Sequence, residues 1–351
     1  MISDLRLQSF RSYDNSAFEF SPGVNIIVGP NASGKTNLLE AVLVISRGSS
    51  YRGHDTDLIS YDKPWTRIES DTAEGKRIVT LEQTATKIEK KYTINGVVYR
   101  RLSLPKTVPV VVFEPDHLRL LSGGPERRRD YLDTLLEQTT PGFGVLRREY
   151  KRTLAQRNKL LKNPYRSQDE MFVWDIRLSE LAGKIVGHRV AMIATMQEQI
   201  QELYQELSRT QKTVTLEYVS SCSVAHYSSD MLRKLEQGLE DDVLRGFTTN
   251  GPHRDDLAVI LDDHPASTSA SRGESRTLLL ALKILELQLL ESARNKKPIL
   301  LLDDVFSELD GARRKALTSH LKNYQTFITT TDADIVVKHF MDNCQIIPTS
   351  S

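Results

Sequence analysis

The sequence predicts an α/β protein whose sheet is assembled from both ends of the chain, with a helical domain inserted between them. Three observations carry that reading. The apolar run Val24–Val28 passes through a glycine loop at residues 29–36 directly into a stretch with helical spacing. A second apolar run at residues 299–302 ends in Asp303-Asp304. Between the two, residues 125–207 keep an almost unbroken helical period.

Taken in order, the strand at 24–28 is framed by Pro22-Gly23 and Gly29-Pro30, and the following helix is marked by Leu38, Leu39, Val42 and Ile45. Residues 66–113 are strand-rich. Tyr92-Thr93-Ile94 and Val97-Val98-Tyr99 flank Asn95-Gly96, a two-residue hairpin signal because both turn positions need positive φ. A strand at 108–113 stops at Glu114-Pro115. The helical stretch breaks at Pro141-Gly142 and near Asn163-Pro164. Beyond that, Leu178, Leu181, Ile185, Ile193, Met196, Ile200, Leu203 and Leu207 mark one helix or two, on the order of 50 Å long if continuous. After residue 245 the α/β pattern returns, with strands at 257–261, 299–302 and 327–330 and a helix at 274–294. The expected division is residues 1–113 and 245–351 for the α/β part and 114–244 for the helical insertion.

Composition narrows the class. Charged residues make up 26% and apolar ones 39%, which is globular rather than disordered. With 47 basic and 46 acidic side chains the formal charge is +1, so any polyanion must be met by a local patch. Cys222 and Cys344 stand apart from each other and from any Cys/His spacing, which excludes a zinc ribbon and a disulfide scaffold and fits a reducing compartment. The charged start of the chain is unlike a signal peptide, and no run reaches the roughly 20 apolar residues that span a bilayer. The expected location is cytoplasmic, with no membrane partner.

Gly29-Pro30-Asn31-Ala32-Ser33-Gly34-Lys35-Thr36 fits the phosphate-binding pattern G-x-x-x-x-G-K-[ST]. Its backbone amides and the helix start through Asn37 cradle phosphates, Lys35 reaches the β- and γ-phosphates, and Thr36 ligates Mg²⁺. Such a loop needs a second metal ligand at a neighbouring strand end. Asp303 supplies it, and Asp304 follows as the group that orients or deprotonates water. The expected cofactors are therefore ATP and Mg²⁺, with Lys35, Asp303 and Asp304 at the chemistry. Ser271-Arg272-Gly273-Glu274 opens the helix at 274–294; read alone, it is a capped helix start.

The order of these elements resembles the ATP-binding heads of ABC and SMC-type proteins. That resemblance implies that Ser271, Gly273 and Glu274 contact the γ-phosphate of ATP held by an opposite subunit, and that residues 307–310 form a loop crossing the dimer interface. The match narrows at residues 7–13, at Gly251-Pro252-His253-Arg254-Asp255-Asp256-Leu257, at residues 270–274 and at 301–310, which resemble the bacterial RecF family over residues 1–332. The family implies an ATP-dependent homodimer that binds DNA without sequence specificity, acts in repair and replication, and works with RecO and RecR to load RecA. It also implies that Arg11 approaches the nucleotide. The family also implies DNA-dependent hydrolysis, and two departures from the wider ABC pattern point to its being slow: Glu114 stands after the strand without the usual glutamine, and Thr331-Asp332 lacks the switch histidine. His253 and Arg254 serve either a strand-edge network or a functional contact.

Residues 126–162 carry ten basic side chains against five acidic ones. Arg148, Lys151 and Arg152 share one helix face. Alone this is a solvated face; beside the resemblance it becomes the expected DNA-tracking surface. Among rivals, a transporter subunit is disfavoured by the long stretch between Lys35 and Ser271, and a GTPase by the lack of Asn-Lys-x-Asp. A DNA-binding module that holds ATP without productive hydrolysis stays open.

Overall fold

The computed structural model describes residues 1–332, 336–338, 340 and 344–349. The chain opens with β1 (Asp4–Phe10), β2 (Tyr13–Glu19) and β3 (Val24–Val28), then α1 (Lys35–Arg47). Strands β4 (Trp65–Thr72), β5 (Gly75–Gln83), β6 (Ile88–Ile94), β7 (Val97–Tyr99) and β8 (Val110–Phe113) follow. Next come α2 (Pro125–Thr139), α3 (Phe143–Leu161), α4 (Gln168–Ser208), β9 (Val214–Val219), α5 (Tyr227–Gln237) and α6 (Leu239–Arg245). After β10 (Asp256–Leu261), β11 (His264–Pro265), α7 (Ala266–Ser269) and α8 (Arg272–Arg294), the chain ends in β12 (Ile299–Asp303), α9 (Val305–Glu308), α10 (Gly311–Leu321), β13 (Thr326–Thr330) and β14 (Cys344–Pro348).

These elements form two compact units, Met1–His117 with Glu286–Ser351, and Leu118–Leu285. The first holds a parallel sheet in the order β14-β3-β13-β12-β8 and an antiparallel sheet in the order β2-β1-β4-β5-β6-β7. Helix α1 touches both sheets, which is why it is buried around nearly its whole circumference rather than along one stripe. Leu38, Leu39, Val42 and Ile45 join the core that Leu5, Leu7, Ile68, Val79 and Phe327 also line. The Asn95-Gly96 turn forms as its sequence requires. Both residues take positive φ, 49° and 82°, and Ile94 pairs with Val97 across it.

In the second unit the helical stretch contains three helices, and the last is a single one of 41 residues. Its chain breaks are the expected ones: Gly142 lies between α2 and α3, and Asn163-Pro164 between α3 and α4. One placement differs. The strand expected at 257–261 pairs with β9 and β11, not with the sheet that carries β3, so the contact boundaries fall at 117/118 and 285/286 instead of 113/114 and 244/245. The alternating run Val214-Thr215-Leu216-Glu217-Tyr218-Val219, which the helical reading passed over, supplies that partner. The outer edge of β9 is covered by α4 side chains. Gln197 and Gln201 accept from the amides of Leu216 and Val214, both at 2.7 Å, and donate to the carbonyls of Val214 and Lys212. Two glutamines one turn apart thus stand in for a neighbouring strand.

Candidate nucleotide-binding site

In the parallel sheet β3, β13 and β12 run side by side, so their C-terminal ends share one edge, where open α/β sheets receive ligands. The loop 29–36 leaves β3 at that edge. Gly34 sits at φ 90°, and a Cβ there would press against the Tyr13 ring. Tyr13 donates its hydroxyl to the Gly34 carbonyl at 3.1 Å, and burial pushes its pKa up to about 12, so it remains a donor. Gly34 is also the N-cap of α1 and offers no side-chain cap. The first amides of α1 are thus left to bind an anion. The far side of the loop is tied down: Ser33 and Thr349 hydroxyls lie 2.7 Å apart, and the Thr349 amide donates to Val28 at 2.8 Å. Asn37 is strapped to Ser12 at 3.0 Å.

Lys35 is folded onto its own loop, donating to the carbonyls of Gly29 at 2.8 Å and Pro30 at 2.9 Å. Thr36 Oγ1 donates to Asp303 Oδ1 at 3.0 Å. Thr329, the cross-strand partner of Asp303, then fixes both acids: its hydroxyl donates to Asp303 Oδ1 and accepts from the Asp304 amide, each at 2.8 Å. Tyr51 reaches Asp303 Oδ2 at 3.2 Å, and burial with the nearby Asp303 and Glu114 charges raises its pKa. Asp304 adopts a left-handed backbone at φ 52°. Its carboxyl pKa is raised, first by burial and then by Asp303, with Lys35 opposing. A carboxylate with a raised pKa is a better proton acceptor, which suits a base.

The fit to Mg²⁺ can be tested on this geometry. Adjacent ligands of an octahedral Mg²⁺ at about 2.1 Å stand about 3 Å apart, the observed separation of Thr36 Oγ1 and Asp303 Oδ1. Among the described residues no group of three His, Cys, Asp or Glu side chains gathers to cage a metal. That is the donor set of an ion held by one carboxylate, one hydroxyl and a ligand's phosphates.

Arg11, expected to approach a nucleotide, is engaged by a side chain of its own unit. Its guanidinium makes a two-pronged pair with Glu40 on α1, at 2.8 and 2.7 Å, and Glu40 has no exposed surface. Ser50 donates to the same carboxylate at 2.5 Å. Sequence reasoning missed Glu40 because helical periodicity places an acid outward. It also missed Thr329, whose signal was the pair of threonines at the end of β13, together with Tyr51 and Thr349.

In the second unit, Ser271 and Glu274 form a reciprocal cap on α8: the Ser271 amide donates to Glu274 at 2.8 Å, and the Glu274 amide to Ser271 Oγ at 3.3 Å. Lys212 holds Glu274 from the side at 2.8 Å. These hydrogen bonds push the Glu274 pKa down to about 2. Gly273 occupies the second helical position, and its carbonyl accepts from Thr277.

Of the ten cations at 126–162, several are consumed internally. Arg128 forks onto Asp256, Arg147 pairs with Asp130, Asp133 and Glu137, and fully buried Arg157 holds Asp175 and Asp242. Arg148, Lys151 and Arg152 remain exposed on α3 and make no ion pair among the described residues. His253 belongs to a hydrogen-bond network: its Nε2 meets the Thr248 carbonyl at 3.1 Å and so carries the proton, while Nδ1 accepts from Tyr150 at 2.6 Å. Burial pushes its pKa down to about 4, which keeps it neutral. Arg254 is exposed and lies over the Phe247 ring, 5.0 Å from its centroid. Asp255 accepts from Tyr218, Tyr227 and Ser220. The motif is thus largely a structural knot around β10.

A parallel sheet with this loop, this strand-end acid pair and an inserted helical unit defines the class of SMC-type P-loop ATPase heads. The solved Smc head bound to the C-winged helix domain of ScpA shares the fold, with a TM-score of 0.53 at 17% identity, covering 100% of this chain and 94% of that one. The profile of the RecF/RecN/SMC N terminal domain matches residues 1–349. Within the class, the chain belongs to the RecF family of DNA replication and repair proteins. It is 36% identical to that protein of Heliobacterium modesticaldum over 94% of this chain and 92% of the relative. To that of Bacillus subtilis it is 33% identical, over 95% and 94%. The solved recombination mediator RecF-ATPrS of the RecFOR pathway superposes with a TM-score of 0.88 at 28% identity, covering 99% of this chain and 96% of that one. The RecF-ATP structure gives 0.84 over 94% and 92%. Among the described residues no helix is long and apolar enough to cross a membrane.

Proposed function

We propose that this chain binds ATP and Mg²⁺ at residues 29–37, dimerises around the nucleotide and clamps DNA as a cytoplasmic recombination mediator. RecO and RecR are its partners in this reading, and RecA loading is the outcome. The observation that carries the nucleotide assignment is the Thr36–Asp303 pair beside an uncapped helix start. The names of the two solved RecF structures, with ATP and ATPrS, support it. A cleft of about 560 Å³ beside the loop, between residues 12–18, Ala32, Ser33, Pro348 and Thr349, offers space for ribose and base.

In this reading Lys35 exchanges its loop carbonyls for phosphate oxygens, which are charged and hold an ammonium more strongly. Thr36 and Asp303 hold the ion, which supplies charge neutralisation at the phosphates. Asp304 accepts the proton of water, while Thr329 keeps both acids in register. Ser271, with Gly273 and the start of α8, reads ATP held by a second copy. Glu114 in place of glutamine supports slow hydrolysis. Arg148, Lys151 and Arg152 follow backbone phosphates rather than bases.

The test is ATP binding by Lys35→Ala, followed with a fluorescent ATP analogue. Binding falls below detection if the loop holds the nucleotide, and undiminished binding would remove the assignment.

A further inference from the structure

Within the second unit, α2, α3, α4 and Pro252-His253 line a cavity of about 590 Å³. Its wall is rich in cations, and their existing partners decide what it can hold. Arg189 is spent on Asp133 and on the Pro252 carbonyl, and Arg147 on Asp130 and Asp133. Asp130 and Asp133 are thereby neutralised from within the wall, and the third lining carboxylate, Glu126, is offset in formal charge by the adjacent lining residue Arg127. Arg129 is different. Its Nη1 donates to the Asp255 carbonyl at 2.7 Å, and its guanidinium makes no other hydrogen bond or ion pair among the described residues. Burial lowers its pKa first, and the like charges of Arg189 and Arg254 add to that, against Asp256 and Glu126. Lys151 lines the same cavity from α3, exposed and without an ion pair among the described residues. Neutral His253 adds no charge.

We propose that this cavity is a binding site for a phosphate-type anion, with Arg129 and Lys151 as its charged donors. An anion there relieves the crowding of Arg129 by Arg189 and Arg254, and fills donors of a planar fork suited to phosphate oxygens. The cavity is much larger than a bare phosphate ion, so a phosphodiester of a nucleic-acid strand is the expected occupant. That choice of source rests on the DNA-binding reading above; the anion chemistry does not.

Two arms separate the sources, both on the full chain, the duplex arm with ATP present because clamping is read as ATP-dependent and the phosphate arm without it. One titrates a short duplex by fluorescence anisotropy across a range of salt; the other titrates inorganic phosphate by calorimetry. Arg129→Gln, Lys151→Gln and the control Lys184→Gln, an exposed lysine on α4 outside the cavity, are compared with wild type. We expect each cavity variant to weaken duplex binding by about tenfold, the loss of one charge-assisted contact. The log–log salt slope should fall by about 0.9. Lys184→Gln should stay within twofold. If phosphate binding is lost in the cavity variants while duplex binding is unchanged, the site stands and its occupant is free phosphate. If wild type binds no duplex, the DNA reading fails, and the phosphate arm alone decides the cavity. If neither arm separates the cavity variants from Lys184→Gln, the proposal is overturned. Exposed Lys151 makes no hydrogen bond or ion pair among the described residues, so its variant keeps the test valid even where Arg129→Gln is unstable.

Discussion

The Arg11–Glu40 pair allows structure and nucleotide contact to be separated in one experiment. Glu40 is wholly inaccessible, and among the described residues only Arg11 and the Ser50 hydroxyl satisfy it. Arg11→Met leaves a buried carboxylate without its counter-charge, which costs about 3–5 kcal/mol. For a unit of this size that corresponds to a fall in Tm of about 10 °C. Adding Glu40→Leu removes the stranded charge, and the double variant should recover most of the loss, since a buried pair replaced by apolar groups is often neutral. Urea unfolding followed by circular dichroism, read as a double-mutant cycle, measures the coupling. The recovered double variant then reports on ATP. If Arg11 also contacts phosphates, the refolded protein binds ATP poorly; if Arg11 is purely structural, binding returns with the fold. Destabilisation of the single variant by less than about 1 kcal/mol would refute the argument, because the buried acid would then have no need of Arg11.

Three further outcomes follow from the same geometry. If α8 reads a partner's nucleotide, Ser271→Asp keeps the helix cap and its stability yet repels the γ-phosphate, so sizing with ATP shows monomer, whereas Asp304→Asn shows more dimer than wild type. Glu274, with its pKa down to about 2, stabilises the fold fully above its ordinary value of 4.5. That contribution is lost as pH falls towards 2, so Glu274→Gln should differ from wild type in urea midpoint at pH 6 and converge with it at pH 2. Replacing Gln197 and Gln201 together by alanine strips the β9 edge of its surrogate strand, costing about 1–3 kcal/mol per stranded buried group and raising aggregation, both measurable by urea melts and light scattering.

Much of the site was legible because its chemistry is local in sequence. A strand, a loop with glycine at fixed positions and a helix occupy consecutive residues, and Asp303 closes an apolar run that can only be a buried strand. The Asn95-Gly96 hairpin was legible for the same reason. What escaped depends on partners remote in the chain. Nothing in Thr329 announces that it will face Asp303 across a parallel register. Nothing in Arg11 announces a buried acid on α1. The basic segment 126–162 shows the limit most clearly: counting charges treats Arg157 and Lys151 alike, yet one is sealed inside an ion-pair network and the other faces solvent. The motif around His253, open in the sequence between a strand-edge network and a functional contact, is mostly a hydrogen-bonded knot, apart from the exposed Arg254.

The position of β3 in its sheet has a consequence for the order in which the protein can be made. Val24 pairs with Thr326 on one side and Cys344 on the other. At roughly 5–20 residues per second, a ribosome needs on the order of 15–60 s to travel from the first partner to the second and third. Throughout that time the glycine loop exists as sequence but has no sheet edge to stand on, and Ser33 has no Thr349 to anchor it. The antiparallel sheet β1, β2 and β4–β7 has all its strands by residue 99 and can assemble early. A nascent or truncated chain therefore offers folded structure without a phosphate cradle, and the sheet that carries the glycine loop is complete only once β14 has left the ribosome.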